Sequence, residues 1–60
     1  MTIPDLEAML LRWRGAASLY RATAAEARRD GEAMREASVR ARAETLESCA
    51  RELERWMEND

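Results

Sequence analysis

An all-α fold, an antiparallel helical hairpin that dimerises into a four-helix bundle, is what this 60-residue sequence predicts, and three observations carry the prediction. Apolar residues recur at spacings of three and four along two long segments, which is the period of a helix and not the alternation of a strand. The one turn-forming pair, Asp30-Gly31, lies between those segments. The apolar stripe beyond the pair then runs two residues out of step with the stripe before it.

The first helix is expected over residues 4–29. Thr2, Pro4 and Asp5 predict its start, because proline is tolerated in a first turn whose N–H groups have no intrahelical acceptor, and an acid there meets the positive end of the helix dipole. Leu6, Met9, Leu10, Trp13, Ala16, Ala17, Tyr20, Ala24 and Ala27 form its stripe. Gly15 interrupts the pattern at a cost of about 1 kcal/mol against alanine, which permits a kink without requiring a break. Arg28 and Arg29 suit the negative end of the helix, and residues 30–31 make the turn.

The second helix is expected over residues 32–57, with Val39, Ala43, Leu46, Cys49, Ala50, Leu53, Trp56 and Met57 on its apolar side. Phase decides between a hairpin and a single rod. An unbroken helix would carry the heptad of Leu6, Trp13, Tyr20 and Ala27 on to Met34, Ala41 and Ser48, yet the large residues follow Val39, Leu46 and Leu53. The chain should therefore fold back. Folding at Asp30-Gly31 brings Leu6, Met9, Leu10 and Trp13 to Cys49, Leu53, Trp56 and Met57 at the open end, and sets Ala17, Ala24 and Ala27 against Ala37 and Ala41 nearer the turn.

Size makes a second copy part of the expectation. A chain of this length forms one domain, here residues 1–60, and folding hides only about 60% of the surface that the unfolded chain exposes. Of the apolar residues 12 are alanine, so few large side chains are available for a core. Two helices leave Leu6, Leu10, Trp13, Tyr20, Leu46, Cys49, Leu53, Trp56 and Met57 half covered. A homodimer would close them into a four-helix bundle.

The positions of the charges narrow the function classes. Net charge is -2, and all 10 basic residues are arginine. Residues 10–29 hold five arginines against Glu26, a net +4, while residues 30–60 hold five arginines against nine acids, a net -4. A hairpin lays these segments side by side, within or near the screening length of about 10 Å, so the basic field is largely cancelled. Arg14, Arg21 and Arg28 recur every seven residues and could follow a nucleic-acid backbone, with Trp13 and Tyr20 stacking on bases. Both aromatics are in phase with the apolar stripe, however, and a nucleic-acid surface needs an uncompensated positive face. Nucleic acid is therefore not the expected partner, and the arginine row is expected to pair with Glu or Asp of helix 2 or to be simply solvated.

Helix 2 offers Glu44, Glu47, Glu54 and Glu58 as an acidic patch for a basic protein partner. No histidine accompanies them, so neither a metal centre nor acid-base catalysis is expected, and no cofactor is implied. Glu36 with Arg40 and Glu47 with Arg51 stand at the helix-supporting spacing of four. Cys49 cannot form an internal disulfide, because it is the single cysteine, and it reads as a small buried hydrophobe. The longest apolar run is residues 8–11, which predicts neither a leader nor a spanning helix and points to the cytoplasm.

The segment ARAETLESCARELERW, with Ala43, Leu46, Glu47, Cys49, Ala50, Glu52 and Leu53 in order, and Trp13, Arg14 and Ala17 upstream, resembles small helical-hairpin proteins of actinobacteria and their phages. The likeness covers most of residues 9–57. Similar hairpins serve as accessory modules of excisionase-type or helix-turn-helix regulators. No such DNA-binding domain follows here before Asp60, so the resemblance implies a stand-alone protein of mobile-element type that binds and blocks a host complex, as anti-CRISPR proteins do. The expectation is thus a non-enzymatic inhibitor or regulator that binds a host protein or itself. The other reading is an accessory module of a DNA-associated regulator, with Arg14, Arg21 and Arg28 on the backbone.

Overall fold

The computed structural model describes residues 2–59, which form two helices, α1 (Ile3–Arg29) and α2 (Ala33–Glu58), packed against each other as a hairpin. The molecule is a rod of about 45 × 15 × 13 Å. Its length is that of one long helix, and its width is that of two helices side by side.

Local chemistry sets the ends of α1. Thr2 is the N-cap: its hydroxyl oxygen accepts from the backbone N–H of Asp5 at 3.3 Å, and the Asp5 carboxylate accepts in return from the Thr2 backbone N–H at 3.3 Å. This reciprocal box satisfies donors that the first turn would otherwise leave without partners. The Thr2 hydroxyl also donates to that carboxylate. Together these bonds, the Thr2 side chain first, hold the Asp5 carboxyl below its ordinary range.

The C-terminal end of α1 closes with a Schellman motif. Gly31 N–H donates to the Arg28 carbonyl at 3.1 Å, and Glu32 N–H donates to the Ala27 carbonyl at 2.8 Å. Closing that loop needs a left-handed residue, and Gly31 supplies it with φ of 73°. The chain reverses there. Glu32 then precedes α2 and gives no side-chain cap, but its carboxylate accepts from Arg35 at 3.1 Å. Glu36 pairs with Arg40 one turn on.

The interior differs from the expected one in the size of its residues. Among the described residues the fully buried ones are all alanines: Ala17, Ala24 and Ala27 from α1, and Ala43 and Ala50 from α2. Ala17 with Ala24 and Ala43 with Ala50 each recur at the heptad spacing, so the seam between antiparallel helices is lined by methyl groups. Ala37 and Ala41, expected to face the α1 alanines, are exposed, because the phase of α2 turns Ala43 and Ala50 inward instead. Leu6, Met9, Leu10, Trp13, Tyr20, Leu46, Leu53 and Met57 are half-buried. No helix among the described residues is long and apolar enough to cross a membrane.

Candidate interaction surfaces

The seam of small residues gives the hairpin two unlike faces. In an antiparallel pair, positions just to one side of the seam on α1 share a face with positions to the same side on α2. Arg14 and Arg21 lie to one side, with Glu54 and Glu47. Trp13 and Tyr20 lie to the other, with Leu46 and Leu53.

On the first face the two helices are joined by ion pairs. Arg14 Nη2 approaches Glu54 Oε2 at 2.6 Å. Arg21 binds Glu47 through two nitrogens, Nε to Oε2 at 3.1 Å and Nη2 to Oε1 at 2.7 Å, the planar fork geometry that lysine cannot supply. Hydrogen bonding from Arg21, with the positive charges of Arg21 and Arg51 behind it, lowers the Glu47 carboxyl pKa. Glu47 in turn raises that of the Arg21 guanidinium. Arg28 continues the row but borders a hollow with Glu36 and Arg40, where Glu36 is already bonded to Arg40.

These pairs are the expected partners of the arginine row, and they bear on both charged sets taken from the sequence. Two of the three arginines in the row Arg14, Arg21 and Arg28 are neutralised locally, so the row is not a free cationic stripe. Of the proposed acidic patch, Glu47 and Glu54 are held by those same arginines, which leaves Glu44 and Glu58 exposed and without an ion pair among the described residues. The periodicity of α1 and the abundance of glutamate in α2 contained this outcome. It needed only the rule that seven-residue rows of opposite charge flank an antiparallel seam.

The second face is apolar and open. Tyr20 and Leu46 line a hollow with Ala41, Arg42 and Thr45. Trp13, Cys49, Glu52, Leu53 and Trp56 line the next. At the open end Ile3, Leu6, Glu7, Leu53, Trp56 and Met57 surround a third. Cys49, expected to be buried, is exposed, and Trp56 retains 76% of its surface. Both sit one position off the alanine seam, in hollows that residues of α1 line but do not close. Leu11, Leu19 and Met34 are also exposed, Leu19 in the same seven-residue row of α1 as Arg12 and Glu26.

No protein-family model, curated protein or solved structure matches the chain.

Proposed function

We propose that this protein is a non-enzymatic, cytoplasmic helical hairpin that works by binding protein, an inhibitor or regulator of phage or mobile-element type that occupies a host complex in the manner of anti-CRISPR proteins. The observation that carries this reading is the division of the surface. Polar side chains on one face are used up in joining the two helices, and the large apolar side chains on the other are left half-exposed in a continuous band. Bands of that kind, rimmed by charge, are where proteins meet proteins.

The open band also supports self-association into a four-helix homodimer. The fully buried apolar groups of the single hairpin are five alanine methyls, and its large apolar side chains keep part of their surface in water. Covering Leu46, Leu53, Trp13 and Trp56 would add apolar burial that the single chain lacks. Host-protein contact then falls to the outer edge of α2, where Glu44 and Glu58 remain free for a basic site.

The test pairs a capture experiment with a DNA-binding control. Tagged protein should retain a specific host protein, and the double variant Glu44→Arg, Glu58→Arg should lose it while helix content by circular dichroism is kept. Duplex and single-stranded DNA should show no mobility shift at about 0.15 M salt, because a net phosphate-binding face is missing. Tight DNA binding removed by replacing Arg14, Arg21 and Arg28 would overturn the proposal in favour of a regulator's accessory module.

A further inference from the structure

The borders of the apolar face carry charges that the hairpin itself leaves unused. On α2, Arg42 flanks Tyr20 and Leu46, and Glu52 flanks Trp13, Leu53 and Trp56. On α1, Ala16 and Thr23 are half-buried at the edge of the same face, and one turn to either side of that row stand Arg12 and Glu26. None of Arg12, Glu26, Arg42 and Glu52 makes an ion pair among the described residues. Apart from Glu7 at the open end, each border thus bears one positive and one negative charge, in opposite order along the rod.

We infer that a second copy of this chain closes the apolar face about a two-fold axis parallel to the long axis of the hairpin, so that α1 of each copy packs antiparallel on α2 of the other. The inference rests on the self-association proposed above and adds its orientation. Such an axis preserves position along the rod, so the new α1–α2 contact repeats the register of the contact within the chain. Arg14 with Glu54 and Arg21 with Glu47 show which long side chains meet in that register. Continuing it sets Glu26 against the partner's Arg42. It also sets Arg12 against the partner's Trp56, with the partner's Glu52 one turn away. A guanidinium thereby gains an indole face and a carboxylate, both of which favour it.

Orientation is decided by what the alternative would do. A two-fold axis perpendicular to the rod lays α1 on α1 and opposes the stretch of residues 10–29, net +4, to itself. The parallel axis lays it on the acidic α2 instead. Steric fit agrees. At the centre of the new seam stand Ala16 and Thr23 from one copy and Cys49 from the other, small enough for close approach, while Met9 and Trp56 fill the open end. The arrangement covers the exposed Cys49 and Trp56, which the hairpin leaves open.

The test uses charge exchange between chains. Glu26→Arg places two arginines at each rim contact and Arg42→Glu places two carboxylates there, so each variant alone should raise the dimer dissociation constant on the order of tenfold. An equimolar mixture should form the heterodimer preferentially and recover the original affinity, because both of its rim contacts are again of opposite charge. Separately, Ala16→Cys should be linked to the native Cys49 of the partner on mild oxidation, giving a covalent dimer whose peptide map shows the 16–49 bond. Helix content by circular dichroism confirms that the variants fold. A monomer at high micromolar concentration would sink the self-association and its orientation together. A stable dimer without rescue in the mixture, or with only 16–16 or 49–49 links, would overturn the orientation alone.

Discussion

The two faces of the hairpin use the same helices and hold them in opposite ways. On the face of Arg14, Arg21, Glu47 and Glu54, polar groups reach across the seam and satisfy one another within the chain. On the face of Trp13, Tyr20, Leu46 and Leu53, large side chains project past the seam and stay half-exposed. The reason lies between them: alanines at the seam bring the helices close, and close helices cannot enclose an indole or a leucine. One face therefore specifies the register of the pair, and the other presents large side chains that the pair leaves half-covered.

If that division holds, substitutions on the two faces should differ most in size. Trp13→Ala or Leu53→Ala should cost about 2 to 5 kcal/mol when the apolar face is covered, a large share of the roughly 3 to 9 kcal/mol available to a chain of this length. Arg14→Ala on the opposite face should cost less than about 1 kcal/mol, because an exposed ion pair is screened and its side chains lose entropy on pairing. Denaturant melts of the three variants at two protein concentrations check this. Equal costs on both faces, independent of concentration, would mean that the apolar face contributes nothing beyond the single chain.

The seam shared by the two faces comes next in magnitude. Ala43 has 0% of its surface exposed, so Ala43→Leu should force the helices apart and cost about 1 to 3 kcal/mol, although leucine is more hydrophobic. The same change at Ala25, an exposed position on α1, should be nearly neutral. A thermal melt that ranks the two alike would show that the close approach is not what holds the pair.

Much of this architecture is legible in the sequence. Asp30-Gly31 marks the turn, and the mismatch of phase between Trp13, Tyr20 and Ala27 and Val39, Leu46 and Leu53 requires it. The interior was harder to read, because an apolar stripe shows which residues avoid water and not which of them two helices can cover. Cys49 and Trp56 share the stripe with Ala50 and Leu53, yet they lie too far round α2 for α1 to cover. The signal that locates the seam is the alanine repeat Ala17, Ala24 and Ala43, Ala50, which large neighbours mask in a hydrophobicity pattern. The partners of the individual carboxylates are hidden for a related reason: composition counts carboxylates, and only register tells that Glu47 and Glu54 stand across from Arg21 and Arg14.

Smaller and opposite effects should distinguish the two glycines, neither of which would bring an added Cβ within 4 Å of another group. At Gly31 the backbone alone resists, since φ of 73° is left-handed, and Gly31→Ala should cost about 1 to 2 kcal/mol. At Gly15, inside α1, Ala should instead stabilise by about 0.5 to 1 kcal/mol by restricting the unfolded chain, raising the midpoint of thermal unfolding by several degrees. A loss on Gly15→Ala would reveal a kink there that the two faces depend on.

The smallest expected effect belongs to the ion-paired face and appears only in acid. Arg21, bonded to the Glu47 carboxylate, holds its pKa below the ordinary value of 4.5, and the Thr2 hydroxyl and backbone N–H do the same for Asp5 below 3.8. A carboxyl whose pKa is lower in the folded chain than in the unfolded one binds fewer protons when folded, so stability falls as the pH is lowered. Both contributions are complete well above these ordinary values and disappear as the pH drops through the lower folded ones. The raised pKa of Arg21 has no consequence in this range, because the group stays charged on both sides of the transition. Unfolding midpoints should therefore be level near neutrality and decline toward about pH 3, with the decline reduced in Glu47→Gln and reduced again when Asp5→Asn is added. Salt should weaken the Glu47 part, which crosses between helices in solvent, more than the Asp5 part, which acts through bonds within a single turn. A decline that Glu47→Gln leaves unchanged would place the acid-sensitive contact elsewhere, on Glu54 or on the rim carboxylates of the apolar face, and would break the assignment of register to the paired face.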